Sequence, residues 1–171
     1  LEPGIIKKKI SKKLNSGMDY DVSLFRVKTV LWQEIKADIS DVWTRLISLK
    51  DYHLWYPGIQ RMLPLNDMGR YVHQYSFDQL DLKPGSHVRT RSRALFPFLN
   101  GRIMGMEKEK KFTLFLRINP LLKELTQFDL EEKNDKILIT CTRTYKGLFS
   151  LIGYWGFHKN KSLLLKDFQE I

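Results

Sequence analysis

An arginine interrupts an alternating apolar run near the end of the chain. In residues 136–145, one face of a predicted strand carries Ile137, Ile139, Cys141, Arg143 and Tyr145. If this is the inner face, the Arg143 guanidinium is buried and needs a partner. That partner is either an internal carboxylate, Glu107 or Glu109, or an acidic ligand group held by two parallel hydrogen bonds. Alternatively, Arg143 lies at the end of the sheet and its long side chain reaches water.

A second alternating run combines aromatic rings with polar tips. In residues 70–80, one face of a predicted strand carries Tyr71, His73, Tyr75 and Phe77. Ordinary core packing explains this face. A functional interpretation adds that tyrosine and histidine place polar groups inside an apolar pocket, which is the mixture that ligand sites use. On a neighbouring strand, Met104 and Met106 either fill gaps in the core or adapt to an irregular ligand.

Residues 86–95 predict a strand with one small-residue face and one basic face. The small face carries Val88, Thr90, Ser92 and Ala94, and the basic face carries His87, Arg89, Arg91 and Arg93. Small residues facing inward would leave a cavity, because packed interiors otherwise contain few voids. The basic face is either a solvated outer face that prevents edge aggregation or a strip that binds anions.

Two further segments suggest contact with a membrane. Residues 96–99 form an apolar loop between Arg93 and Arg102, with Phe96 and Phe98 at its tip. This loop dips into a bilayer, closes a cavity mouth or packs inward. Residues 5–14 have helical periodicity and a basic face that includes Lys7, Lys8 and Lys12. They form either a membrane-surface helix or a simple N-terminal extension.

Catalytic and metal-binding motifs are missing from the sequence. The four histidines, His53, His73, His87 and His158, are not spaced as metal ligands. No nucleophile elbow, P-loop or dinucleotide-binding glycine motif occurs. A cyclase or dehydratase needs only one positioned acid–base pair, however, such as His73 with Tyr75 or Arg143.

Charge and cysteine content limit the function classes. The 171 residues carry a net charge of +10, and residues 1–17 and 83–111 account for +4 and +6 of it. Such local patches suggest an anionic surface or ligand, and no nucleic-acid motif accompanies them, so nucleic acid is not expected. The single cysteine, Cys141, suits a reducing compartment, so we expect a cytoplasmic protein that contacts membranes peripherally. No apolar run reaches the length of about 18 residues that a transmembrane helix needs.

The remaining patterns predict the elements that position these residues. Residues 22–36 alternate as one strand, and Ser40 is predicted to cap a short helix that carries Val42 and Trp43. After a second helical turn that ends at residues 57–58, strands follow near 102–110, 112–118, 125–132 and 136–145. Residues 148–170 predict a long closing helix. Consecutive strands with helices at both ends indicate an α+β class with an antiparallel sheet.

Several short motifs follow one another in a characteristic order. Residues 35–38 precede the Val42-Trp43 helix, Pro84-Gly85 leads into a strand, and residues 163–168, LLLKDF, end the last helix after Tyr145 and Gly147. Between them comes a loop followed by a W-x-P motif, and the residues of this segment are Leu49, Asp51, Tyr52, Trp55 and Pro57. In this order the motifs resemble the START-related (SRPBCC) superfamily, which includes polyketide cyclase-like, lipid-transfer, coenzyme Q-binding and pollen-allergen-type proteins. The resemblance covers about residues 24–171.

The resemblance implies a helix-grip fold, in which a curved antiparallel sheet wraps around a long C-terminal helix and two short helices follow the first strand. It divides the chain into a basic N-terminal extension, residues 1–20, and a single domain, residues 21–171. We expect the domain to bind, and to transport, a lipid or another hydrophobic small molecule in an internal cavity, without a cofactor or metal. The alternatives are an enzyme of the polyketide cyclase/aromatase type and a non-enzymatic interaction module, whose cavity Tyr71, Phe77 and Trp155 would fill.

These interpretations assign two sets of residues. The expected ligand contacts are Trp55, Tyr71, His73, Tyr75, Phe77, Thr90, Ser92, Met104, Met106, Arg143, Tyr145 and Trp155. The expected membrane or anion contacts are Lys7, Lys8, Lys12, Arg89, Arg91, Arg93, Phe96 and Phe98. Arg143 and Tyr145 are the residues predicted to orient the ligand.

Overall fold

A computed structural model describes residues 16–66, 70, 82–92, 99–133 and 136–158, together with Leu164 and Phe168. The strands of this part are β1 Ser16–Ser23, β2 Arg26–Ile35, β3 Ile59–Pro64, β4 His87–Ser92, β5 Leu99–Glu107, β6 Lys111–Asn119, β7 Leu122–Lys133 and β8 Lys136–Lys146. The helices are α1 Ile39–Ile47, a 3₁₀ turn Leu49–Asp51, α2 Tyr52–Trp55 and α3 Ser150–His158.

The strands of the described part form one antiparallel sheet in the order β1-β2-β8-β7-β6-β5-β4-β3. Strand β8 therefore joins the beginning of the chain, through β2, to the run of hairpins from β5 to β8. One face of the sheet carries the apolar core, against which α1, α2 and two buried residues near the C-terminus, Leu164 and Phe168, pack. The predicted α+β class with a curved antiparallel sheet is confirmed.

The first strand predicted from the sequence, residues 22–36, is in fact a hairpin of β1 and β2. The turn falls at Leu24 and Phe25, two apolar residues that carry none of the usual turn signals. Strand β1 begins at Ser16, inside the segment predicted as an N-terminal extension, and Gly17 lies opposite Trp32 of β2. A side chain at Gly17 would collide with the Trp32 ring, so glycine lets the indole lie across β1.

Helix α1 begins two residues earlier than the predicted cap at Ser40 would place it. Asp38, and not Ser40, is the N-cap, because its Oδ1 accepts hydrogen bonds from the Ser40 backbone N at 2.8 Å and from the Ser40 hydroxyl at 2.8 Å. The buried side of α1 carries Val42, Trp43 and Leu46. Aspartate and serine are both good N-caps, so the residue type alone does not distinguish Asp38 from Ser40.

The long C-terminal helix predicted over residues 148–170 is not confirmed. The structure shows a short helix, α3, and two further helical residues, Leu164 and Phe168, both fully buried in the core. The Phe168 ring meets the Trp55 indole edge-to-face at 4.7 Å, and Arg45 donates to the Phe168 carbonyl at 3.1 Å. The C-terminal residues in the core are therefore held by α1 and α2.

Candidate functional site

A charged pair is buried on the apolar face of the sheet. Arg143 of β8 and Glu124 of β7 are 5 % and 3 % exposed, and the Arg143 Nε lies 2.5 Å from the Glu124 Oε1. Of the two alternatives for Arg143, the structure shows the inward one, because every second residue of β8 from Ile137 to Arg143 is buried. An internal carboxylate is its partner, but the two predicted ones are wrong, because Glu107 is exposed at the end of β5 and Glu109 lies in the β5–β6 turn.

Two hydroxyl groups complete the surroundings of Glu124. Tyr56, directly after α2, donates to the Glu124 Oε1 at 2.7 Å, and Thr126 of β7 donates to the same oxygen at 2.9 Å. The two hydroxyls also lie 2.8 Å from each other. Hydrogen bonds to a charged group are stronger than those between neutral groups, so this network fixes the carboxylate on the buried face of the sheet.

Two aromatic rings flank the guanidinium. The Arg143 Cζ lies 4.8 Å from the centre of the Tyr56 ring and 5.4 Å from that of Tyr145. Both distances are in the range of cation–π attraction. We call Tyr56, Glu124, Thr126, Arg143 and Tyr145 the buried polar cluster.

The buried polar cluster holds its charges in one protonation state. Burial by itself raises the pKa of Glu124, but the Arg143 charge and the hydrogen bonds from Arg143, Tyr56 and Thr126 outweigh it, so this pKa lies below its ordinary value. Burial raises the pKa values of Tyr56 and Tyr145 well above the usual range. Near neutral pH, the cluster is therefore a carboxylate, a guanidinium and two neutral phenols.

Stability is expected to fall as the pH falls through the acid range. Because the folded state lowers the Glu124 pKa, the contribution of the ion pair is complete above the ordinary glutamate value of 4.5 and is lost as the pH falls towards the folded pKa. Urea midpoints between pH 7 and pH 3 test this expectation. The variant Glu124→Gln/Arg143→Met should show a shallower decline than the wild type, whereas Glu131→Gln on the same strand should leave the decline unchanged. Equal slopes in all three proteins would contradict the assignment.

An aromatic cluster stands beside the charged pair. Trp55 of α2, 1 % exposed, contacts the rings of Tyr52, Tyr56, Phe128 and Phe168 at centroid distances of 4.6, 5.5, 5.7 and 4.7 Å. Tyr56 joins the two groups, since it touches both Trp55, one of the expected ligand contacts, and Arg143.

The buried polar atoms that have no hydrogen-bond partner among the described residues include three on the core side of β2, β4 and α2. They are the Trp55 Nε1, the Thr29 Oγ1 of β2 and the Thr90 Oγ1 of β4. Thr29 lies directly opposite Arg143, and Thr126 lies opposite Arg143 on its other side. A row of polar side chains thus crosses three adjacent strands of an otherwise apolar face. Buried polar atoms are normally paired, so these atoms are candidates to meet a ligand.

The structure separates the two predicted methionines. Met106 packs against the core, whereas Met104 is 53 % exposed on the outer face. A register irregularity between Ile103 and Gly105 causes this difference, because it shifts the alternation of β5 by one residue. Trp155, also predicted to line the pocket, is 75 % exposed, since α3 turns Ser150 and Tyr154 towards the sheet instead.

The faces predicted for β4 are confirmed where they are described. Val88 and Thr90 are buried, while His87 and Arg91 are exposed and Arg89 is half-buried near Asn100. The side chain of Ser92 lies outside the described part. Also outside it are the predicted site residues Tyr71, His73, Tyr75, Phe77, Arg93, Phe96, Phe98, Lys7, Lys8 and Lys12. The convergence of His73 and Tyr75 with Arg143, which would favour an enzyme, stays a prediction.

Sequence reasoning missed Tyr56, Glu124 and Thr126. A signal for two of them was present, because β7 alternates and places Leu122, Glu124, Thr126, Phe128 and Leu130 on one buried face. A glutamate on such a face predicts a buried carboxylate and hence a basic partner. Tyr56 has no comparable signal, since its role depends on how α2 packs across the sheet.

A separate open groove of about 660 Å³ lies at the β5–β6 turn. Its lining consists mainly of charged side chains from residues 107–111 and 129–132. An open, charged groove is a poor site for an apolar ligand. The candidate site for such a ligand is therefore the apolar face around the buried polar cluster.

Comparisons with solved structures identify the fold. A STAR-related lipid transfer protein from Xanthomonas axonopodis aligns with a TM-score of 0.66 and 11 % identity, covering 96 % of this chain and 97 % of that one. A START superfamily protein from Mycobacterium smegmatis aligns with a TM-score of 0.59 and 12 % identity, covering 84 % and 94 %. The di-domain ARO/CYC BexL of the BE-7585A biosynthetic pathway aligns with a TM-score of 0.59 and 10 % identity, covering 86 % of this chain and 50 % of that one.

The sequence alone matches no protein-family model and no curated protein. At identities of 10–12 %, the structural likeness is a likeness of fold. It agrees with the resemblance carried by the W-x-P spacing and the order of the motifs along the chain. The chain has the fold of the START-related (SRPBCC) superfamily.

Proposed function

We propose that this protein reversibly binds a lipid or another hydrophobic small molecule on the apolar face of its sheet. The observation that carries the proposal is the Glu124–Arg143 ion pair, which is buried on the mainly apolar face of the sheet. A buried ion pair is weak evidence for stability, because its desolvation cost cancels much of the attraction. Its position favours a role in orienting a ligand.

The ligand would combine a large apolar part with a few polar atoms. Apolar burial against Trp55, Phe128 and Met106 would supply most of the affinity. The Trp55 Nε1 and the Thr29 and Thr90 hydroxyls would donate hydrogen bonds to the ligand's acceptors, since none of the three has a partner among the described residues. Few, well-placed polar groups in an apolar lining are typical of small-molecule sites.

Binding is favoured over proton transfer by the protonation states of the cluster. A general acid or base works best when its pKa lies near the operating pH. Here, the pKa of Glu124 is lowered and that of Tyr56 is raised well above its usual range, so neither group is poised to exchange a proton near neutrality. Cys141 is likewise kept as a thiol, because burial raises its pKa to about 12. These groups therefore suit orientation of a ligand.

Native mass spectrometry of the purified protein, compared with its denatured mass, tests the proposal. We expect a mass excess that is lost on denaturation and that is extracted into organic solvent. The variant Glu124→Gln/Arg143→Met should lose this excess while remaining folded. The matched control is Glu34→Gln/Lys136→Met, which removes a less buried ion pair between β2 and β8, with the Lys136 Nζ 2.8 Å from the Glu34 Oε2.

Two outcomes would count against the proposal. A wild-type protein that carries no extra mass and binds no 1-anilinonaphthalene-8-sulfonate would indicate a filled core. Unchanged binding in Glu124→Gln/Arg143→Met would show that the buried polar cluster plays no part in recognition. Loss of binding in the control variant as well would indicate a general structural effect.

A further inference from the structure

Exposed apolar side chains gather at one end of the sheet, where β1 turns into β2, β6 turns into β7 and β8 leads into α3. Six of them, which we call the apolar end, are Leu24, Phe25, Leu121, Leu148, Ile152 and Trp155. Their exposed fractions range from 44 % to 75 %. Single exposed apolar residues are common, but a continuous group marks an interaction surface.

Backbone hydrogen bonds join the three segments of the apolar end. The Gly147 N donates to the Phe25 carbonyl at 2.9 Å, and the Phe149 N donates to the Leu121 carbonyl at 3.5 Å. The turn at Leu24 and the turn at Leu121 therefore meet at the start of α3. The apolar side chains belong to one surface and not to three separate loops.

Helix α3 is held with an apolar side facing outward. Its Ser150 is buried, and its Gly153 is close enough to the sheet that an added Cβ would lie 2.9 Å from the Tyr145 ring. Ile152 and Trp155 lie on the opposite side, at 66 % and 75 % exposure. Because the packed side of the helix is already in contact with the sheet, the outward side has no partner within the described part of the chain.

Three basic side chains lie next to the apolar end. Lys146 of β8 pairs in register with Arg26 of β2 on one side and with Lys123 of β7 on the other, and all three are exposed. Like charges directly opposite one another destabilise a sheet, so an anionic partner would relieve this arrangement. Asp21 of β1 does not balance it, because it lies opposite Lys28.

We propose that the apolar end docks the protein on an anionic membrane surface. The apolar side chains enter the headgroup region, with Trp155 at the interface, and Arg26, Lys123 and Lys146 contact lipid phosphates. In the described residues, no helix is long and apolar enough to cross a bilayer. This surface is distinct from the buried polar cluster and acts whether or not a ligand is bound.

Vesicle sedimentation with the full chain tests the docking surface. The vesicles contain phosphatidylcholine alone or with 30 % phosphatidylserine as the anionic lipid, a share chosen on the order of that in a cytoplasmic leaflet. We expect Ile152→Gln/Trp155→Gln to weaken binding to anionic vesicles at least tenfold. Met104→Gln is its control, because Met104 is 53 % exposed on the outer face of β5.

The basic residues are tested with a second pair of charge-matched variants. Lys123→Gln/Lys146→Gln should weaken binding to anionic vesicles about tenfold or more, and binding should fall with added salt. Lys108→Gln/Lys110→Gln removes the same charge at the β5–β6 turn, at the opposite end of the strands, and should bind like the wild type.

Several results would overturn the proposal. These are no binding of the wild type to anionic vesicles at low salt, equal losses in both lysine variants, or full binding by Ile152→Gln/Trp155→Gln. Light scattering at two protein concentrations tests one alternative, in which a second copy of this chain covers the apolar end. A dimer that Ile152→Gln/Trp155→Gln dissociates, without vesicle binding, would assign the surface to a second copy of this chain. Because these tests need no bound ligand, their failure would leave the ligand proposal intact.

Discussion

Arg143→Met is expected to lower the free energy of unfolding by about 3–5 kcal/mol, because it leaves Glu124 charged and buried without its ion-pair partner. The expected cost is large since both groups are almost completely excluded from water, with the Arg143 Nε 2.5 Å from the Glu124 Oε1. Chemical denaturation followed by circular dichroism measures the change. Glu124→Gln should cost less than Arg143→Met, because glutamine still accepts hydrogen bonds from Tyr56 and Thr126.

The double variant Glu124→Gln/Arg143→Met should recover most of that loss. Replacing both members of a buried ion pair with uncharged residues often changes the free energy of unfolding little. The partly buried pair of Lys136 and Glu34 supplies the comparison. Its removal should cost at most about 1 kcal/mol, as surface pairs do. If the two single changes at Glu124 and Arg143 simply add in the double variant, the two residues are not coupled and the buried pair is wrongly assigned.

Gly147→Ala is expected to destabilise the protein by about 2–5 kcal/mol, through a positive φ and a steric collision together. Gly147 has a φ of 120°, and an added Cβ would collide with the Leu121 carbonyl oxygen. The collision would force β8 and the β6–β7 turn apart, where α3 begins. Urea denaturation measures the loss, and vesicle binding of the folded fraction would report whether the apolar end is also disturbed.

Gly58→Ala is the matched control for this substitution. Gly58 also has a positive φ, of 82°, but no atom lies within 4 Å of an added Cβ. Its replacement should therefore cost only the backbone strain, about 1–2 kcal/mol. Similar losses at both positions would show that the contact between Gly147 and Leu121 does not hold this end of the sheet together.

The sequence by itself determined which side of several strands is buried. The alternation along β8 predicts that Arg143 and Tyr145 face inward, and the alternation along β4 predicts that Val88 and Thr90 face inward while Arg91 faces outward. These predictions are confirmed because side chains of a strand point alternately to its two faces, a local property that needs no knowledge of neighbouring strands. The motif order likewise indicated the START-related fold.

Local patterns could not show where a strand is interrupted. The turn at Leu24 and Phe25 lies within a continuous alternation, so residues 22–36 read as one strand. The bulge at Met104 follows from how β5 pairs with β6. It turns Met106 inward, whereas Met104 keeps the outward direction given by the alternation before the bulge. Both features depend on hydrogen bonding between strands, which the sequence of one strand does not specify.

Only the tertiary structure decided the partner of Arg143 and the orientation of α3. Glu124 meets Arg143 because β7 and β8 pair in one particular register, and Tyr56 reaches them from α2 across the sheet. Helix α3 is apolar on every side, so its sequence does not mark a buried face. The close approach of Gly153 to Tyr145 selects that face and leaves Trp155 exposed, because only a residue without a side chain permits this contact.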